Sequence, residues 1–357
     1  MKKRLLLYLL AACLLFTVGC QQDDFSELSS SAVTVDPEDR EPEKVLFANP
    51  LTGVKEIEEA DQNKRPVAVM VNNISVAQGV QCGLNDADLV FECLVEGGIS
   101  RLMAVYYDIK PVAQIGSIRS ARYTYVELCR WLDALYVHHG SDMIYAAPYM
   151  NSFGMDDYEV NNTSGFRESN GLSWEHRLYT TGEKLMGELE NKKYRVTNEK
   201  NTKPVFTFGD PEAPVTPTTP CQSVTYAMSS SYKTTFTYDP QTQQYTRQPM
   251  GTTHKDYKSG EPTATDNVII LYANSPCFDD NYHVKTILSS GNGLYVSKGG
   301  CQEIQWKKDG DTKPLVLMDK DGKELTLNAG SSWIAFPPTS SQSKTQVVPA
   351  PQSEGAQ

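Results

Sequence analysis

The stretch LNDADLVFECLVEGGISRLMAVYYD, residues 84–108, decides between a helical and a sheet-based first half. Its second part, SRLMAVYYD (100–108), reads as a strand. The first part supports two readings. Asn85 can cap a helix that carries Asp86 and Asp88 in its first turn and stops at Gly97-Gly98. The β-branched content allows a strand instead. In both periods Glu92 and Glu96 fall on one face, because residues four apart coincide on a helix and on a strand.

Working outward, RPVAVMV (65–71) followed by Asn72-Asn73 has the pattern of a buried strand. SARYTYVELCRWLDA (120–134) carries Ala121, Tyr125, Leu128 and Leu132, with Leu135 beyond, at helical spacing. LYVHHGSD (135–142) is a strand that breaks into a polar loop, and strand ends in mixed sheets commonly hold sites. From about residue 203 the regime becomes β: KPVFTFG, SVTYAM, KTTFTYD, QQYTRQ, NVIILYA, HVKTILS, GLYVSKG, EIQWKK, PLVLMD, KELTLN and SSWIAF follow one another. Asp321-Gly322 between two such runs signals a hairpin. The proline-rich GDPEAPVTPTTP (209–220) joins the two regimes. The expected class is α+β, with a mixed α/β segment over 61–200 packed against a mostly antiparallel β segment over 201–338.

The ends differ from this middle. Lys2, Lys3 and Arg4 precede an apolar run from Leu5 to Val18, and Gly19-Cys20 follows. That run is shorter than the roughly 20 residues a membrane span takes, and it matches an export signal over 1–19 with lipidation at Cys20. LAAC, ending at Cys13, fits the short lipidation motif better than TVGC. It leaves a stunted apolar run and an apolar mature terminus, so Cys20 is the expected site. Residues 20–60 begin with polar, acidic sequence of the kind that tethers, and 339–357 reads as a disordered tail. The formal net charge of −11 argues against nucleic acid as a partner. The expected contacts are the membrane, through the N-terminal lipid, and an anionic cell-wall component or envelope protein.

Beyond Cys13 and Cys20 the cysteines are Cys82, Cys93, Cys129, Cys221, Cys277 and Cys301, with no CxxC and no dense framework. Three fall in each half, so full pairing requires a bridge between halves, and free, partly buried thiols are the preferred reading. No zinc-binding spacing, phosphate loop, dinucleotide fingerprint or nucleophile elbow is present, and no metal or cofactor is expected.

RPVAVMVNN, ADLVFECLVEGGISRLMAVYYD, IGSIRSAR, YVHHGSD and HRLYTTGEKL, with YTRQPMGTTHKDYKSG, DNVIILYA, SGNGLYVSKGG, IQW and LNAGSSWIAFPP, follow the order and spacing of a known family. In these blocks, from about 60 to 337, the chain resembles the YerB-like bacterial lipoproteins, built on domain of unknown function 3048. The resemblance implies a layered ββα-type sandwich and no known reaction. It carries over Glu92, Glu96, Arg101, Arg119, Ser120, Arg122, His138, Gly140, Arg167, His176, Arg247, His254 and Asp256 as family positions. Two departures stand out: His139 where a small residue is usual, and WEHRLY in place of a Pro-His-Asn sequence around His176.

These positions support several chemistries. Arg101, Arg119, Arg122, Arg167 and Arg247, with Ser120 at a helix start, suit an anion receptor, because guanidinium forks match carboxylate and phosphate. An equal alternative makes Glu92 and Glu96 the internal counterions of those arginines. As a glycosidase pair they require about 5–5.5 Å or 6.5–9.5 Å between carboxyl groups, and nearby arginines would hold both ionised. His138, His176, and His254 with Asp256 at i,i+2 are candidates for a general base or for ligands drawn from three separate places. Tryptophans 131, 174, 306 and 333 are read as core and β-surface, a saccharide platform among them being indistinguishable by sequence. Three functions follow: a binding or regulatory module with an Arg-lined cleft, a hydrolase of envelope glycans or phosphodiesters using Glu92 and Glu96 with His138 or His254, and an assembly scaffold with a structural charge cluster.

Overall fold

The computed structural model describes residues 45–198 and 203–350. The export signal, Cys20 and most of the tether therefore lie outside the described residues. The described residues belong to one compact unit. The 84–108 stretch resolves as two strands, β2 (Leu89–Leu94) and β3 (Ser100–Tyr106), which pair antiparallel as a hairpin. The helical alternative fails because successive side chains turn to opposite faces of the sheet, both of them buried. Leu89, Phe91 and Cys93 enter one apolar cluster, while Val90 and Leu94 meet the other. Gly97 and Gly98 close the turn at φ 69° and 70°, left-handed values that a side chain with Cβ resists.

Among the described residues the main sheet has eleven strands. The first segment supplies β1 (Val67–Val71), β2, β3, β4 (Leu135–His138) and β5 (Asp157–Glu159). The second supplies β6 (Thr219–Pro220), β7 (Asn267–Leu271), β8 (Ser290–Ser297), β9 (Gly300–Lys308), β10 (Leu315–Met318) and β11 (Ser332–Phe336). The order is β6-β9-β8-β7-β11-β2-β3-β1-β4-β5, with β10 alongside β9. The seam between segments is the parallel pair β11–β2, in which Ala335 lies opposite Glu92.

A five-stranded sheet, made from Ser223–Ala227, Lys233–Asp239, Gln244–Pro249, Ala264–Thr265 and Gln346–Val348, covers part of one face. Its Val224, Tyr226 and Phe236 pack with Val90, Ile270 and Trp333. On the other face the helix Tyr123–Leu132 buries Tyr125, Leu128, Cys129 and Leu132 against Leu89, Phe91 and Cys93. Each such buried side chain contributes about 1.5–3 kcal/mol. The result is the layered ββα arrangement of an α+β protein.

Three local expectations are corrected. HVKTILS (283–289) forms no strand but an irregular crossing, tied to the helix where Thr286 N–H donates to Thr124 Oγ1 at 3.0 Å. Part of the supposed disordered tail is structured: Thr339–Lys344 is a 3₁₀ turn and Gln346–Val348 pairs with Ser223–Ala227. The free edge of that five-stranded sheet gives the polar QVV stretch backbone partners that composition does not reveal. The helix expected from Ser120 begins instead at Tyr123, with Arg122 as an N-cap that makes no side-chain cap. Residues before it are committed elsewhere: Arg119 N–H donates to Met70 O at 3.0 Å, and Ala121 N–H to Gly140 O at 3.0 Å.

Candidate functional site: an arginine cluster at one edge of the main sheet

β1, β2 and β4 run parallel and β3 runs against them, so the ends of the first three and the start of β3 share one edge. That edge gathers Asn72-Asn73, Glu96, Arg101, His138 and Gly140. The 119–122 segment crosses beside it, and His139 N–H donates to Arg119 O at 3.1 Å. Ser120 is held under Gly140, where a Cβ would come within 3.0 Å of its Oγ.

Arg101 is buried, makes no ion pair among the described residues, and donates through one NH group to Ser120 O at 2.8 Å. Burial, and next Arg122, push its guanidinium down to about 10. Arg122 is better matched: Nε donates to Glu96 Oε1 at 2.6 Å and an NH group to Ala121 O at 2.9 Å. Arg119 donates to a backbone carbonyl, Glu175 O, at 3.0 Å, and the Glu175 carboxylate stands 3.9 Å away. Its Nε is buried without a partner, and burial is the main cause lowering its pKa. Arg167 lies at the rim, donating to Trp174 O at 2.8 Å and to His139 Nε2 at 3.2 Å.

The carboxylates expected to act together are separated in role. Glu96, in the turn, holds Arg122. Glu92 is fully buried and accepts from Tyr226 OH and Ser100 Oγ, both at 2.6 Å, and from Trp333 Nε1 at 3.2 Å. Arg247, expected among the anion receptors, belongs with Glu92 instead. It is fully buried, donates to Asn73 Oδ1 at 2.8 Å and to Tyr232 OH at 3.0 Å, and lies over the Trp333 ring. Asn73 bridges the two charges, its Nδ2 lying 3.3 Å from Glu92 Oε1. This network joins the two segments and takes both residues out of contact with any external ligand.

The histidines are likewise engaged. His138 faces Gly140 O at 2.8 Å and Asp157 Oδ2 at 3.2 Å, which uses both ring nitrogens. His254 contacts Thr263 Oγ1 at 2.7 Å and Gln78 O at 2.9 Å. Burial, followed by Arg247, lowers its pKa to about 3, so it is neutral. It does not share a strand face with Asp256, because that segment is a loop: Asp256 takes Gly83 N–H at 2.8 Å and the N–H groups of Lys258 and Ser259. His176 joins the arginine edge, its Nδ1 2.8 Å from Asn72 Nδ2, and its pKa is lowered by burial and then Arg119. No group of three or more metal-ligating side chains occurs among the described residues.

Residues 51–195 match the model described as "Protein of unknown function (DUF3048) N-terminal domain", and residues 223–334 match its C-terminal domain. The chain belongs to this family. It is 31% identical over 300 residues to the Bacillus subtilis (strain 168) protein named "Putative lipoprotein YerB", covering 81% of this chain and 86% of that one. The crystal structure of the YerB protein from Bacillus subtilis superposes with a TM-score of 0.73 at 28% identity, covering 85% of this chain and 99% of that chain.

The two departures from the family pattern are now placed. His139 turns Nδ1 to Val160 O at 2.8 Å and presents Nε2 to Arg167, so it braces the rim arginine. Arg177 donates Nε to Leu172 O at 2.6 Å and braces the loop ahead of His176. One contributor, Glu175, escaped the sequence reading, and another, Trp174, was read only among the four tryptophans. Glu175 and Trp174 sit in the 3₁₀ turn Trp174–His176, whose carbonyls receive Arg119 and Arg167. The signal for them is weak: an acidic residue beside a family histidine, and a tryptophan in a Gly-Leu-Ser loop.

Proposed function

We propose that this chain is a lipid-anchored extracytoplasmic binding or regulatory module that receives an anionic envelope ligand on Arg119 and Arg122. Ser120 and Arg101 stand behind them and Arg167 at the rim. One observation carries the reading. Among the described residues, Arg101, Arg119 and Arg122 have one carboxylate in close contact, Glu96 at 2.6 Å from Arg122, and a second, exposed one, Glu175, at 3.9 Å from Arg119. That local excess of positive charge stands in a chain of formal net charge −11. Planar donor forks in a partly desolvated setting favour carboxylate or phosphate. The anchor rests on the Cys20 pattern and the name of the Bacillus relative, and among the described residues no helix is long and apolar enough to cross a membrane. The hydrolase reading loses its chemistry: Glu92 is buried, Glu96 is ion-paired, and His138 and His254 have both ring nitrogens engaged.

Arg119→Ala is the test. Its side chain is tied mainly to a backbone carbonyl, so the variant is expected to unfold at the wild-type temperature and to lose retention on anionic wall polymer. Retention equal to wild type refutes the reading, and loss of cooperative unfolding assigns the cluster to structure.

A further inference from the structure

We infer that the ligand of this site is an acidic saccharide, its ring laid on Trp174 and its anionic group on Arg119. The inference rests on the anion-binding reading above. Of the four tryptophans, Trp131, Trp306 and Trp333 are 3%, 1% and 1% exposed, whereas Trp174 is 67% exposed. Leaving so large an apolar ring in water forgoes burial free energy that the other three collect.

The ring is also held in place. The Arg167 guanidinium lies 3.9 Å from its centroid, one NH group tied to the Trp174 carbonyl at 2.8 Å and another to His139 Nε2 at 3.2 Å. A clamped arginine thus fixes the indole from one side. The next carbonyl along, Glu175 O, is the one that receives Arg119. Successive carbonyls of one short turn therefore anchor two arginines, Arg167 stacked on the indole and the underpaired Arg119.

That juxtaposition matches a pyranose bearing a carboxylate or phosphate. One face of such a ring is lined by C–H groups and covers an indole, while its hydroxyls stay wet and its anion meets the arginine fork. A protein partner would want the tryptophan inside a wider apolar core. Ser173 and Glu175, on either side of it along the chain, are polar and exposed instead.

The experiment uses the full chain and three probes: an oligogalacturonate, a neutral cello-oligosaccharide and inorganic polyphosphate. Oligogalacturonate is expected to bind and shift the emission of the exposed tryptophan, with the neutral sugar far weaker. Trp174→Ala should weaken oligogalacturonate by about tenfold or more, equivalent to one factor of ten in Kd, and leave polyphosphate unchanged. Trp174→Phe should recover part of the loss, and Arg119→Ala should abolish both anions. Polyphosphate binding that depends on Arg119, with no advantage for the acidic sugar and no effect of Trp174→Ala, overturns the saccharide inference and leaves the anion reading standing. Binding of neither anion overturns both. A protein partner that depends on Trp174, with no glycan bound, also overturns the saccharide inference.

Discussion

Replacing Glu175 by Gln is expected to tighten anion binding. Its carboxylate stands 3.9 Å from the Arg119 guanidinium and is 60% exposed, so under the proposed function it competes with the ligand for that arginine. Two unit charges at that distance interact by about 1 kcal/mol at the dielectric constant of water, from 332/(ε·r). A ligand anion must displace that interaction, so removing it should lower Kd by about fivefold at low ionic strength. The gain should shrink as salt rises past about 0.15 M, where the screening length is about 8 Å. The substitution leaves the Glu175 carbonyl in place, so Arg119 keeps its 3.0 Å hydrogen bond and its orientation. Calorimetric titration of wild type and Glu175→Gln with one anionic probe, at two salt concentrations, measures the effect. Unchanged or weaker binding would mean that the carboxylate positions Arg119 instead of competing for it, and the charge-excess argument would fail.

Two further outcomes follow from the buried polar groups. Glu92→Gln removes the counterion of a fully buried Arg247 and should destabilise the fold by about 3–5 kcal/mol in denaturant unfolding. Combining it with Arg247→Met should cost less than the two single losses summed, and strict additivity would contradict the bridged pair. His254, lowered from 6.5 to about 3 chiefly by burial, couples stability to acid. The unfolded chain takes up its proton from about pH 6.5 downward and the folded chain only near pH 3, so stability is lost as pH falls across that window, by up to about 4–5 kcal/mol. His254→Gln should flatten the acid limb of the stability profile, and limbs of equal slope would count against the assignment.

The strands of the second regime were legible for two reasons: SVTYAM and KTTFTYD alternate because one side meets a core, and NVIILYA is a short continuous apolar run buried on both faces. The 84–98 stretch was ambiguous because Asn85, Asp86 and Asp88 imitate a helix start while Leu89 to Leu94 form a strand buried on both faces. Asp88 is in fact occupied by the Tyr107 N–H and by Asn49, at 2.6 and 2.7 Å, contacts made only once the sheet has formed. The arginine cluster could be anticipated from residues 119–122, since its core is local. The link from Glu92 through Asn73 to Arg247 could not, because Arg247 arrives from a different sheet and no local periodicity connects them. Exposure was also hidden: Trp174 and Trp333 are the same letter, and only the packing separates a surface platform from a core residue.

The position of β11 has a consequence for how the chain is made. This strand follows every other strand of the main sheet along the chain, yet it is inserted between β2 and β7 and runs parallel to both. A polypeptide emerging from its N-terminus must therefore hold the edge of β2 open, with Glu92 already in the chain and its Trp333 donor still to come, until residues 332–336 have been released. Such an open edge is a template for pairing with a second incomplete chain. A premature stop a few residues before Ser332 is thus a more damaging lesion than its small size suggests, because it removes the keystone that locks two half-sheets into one.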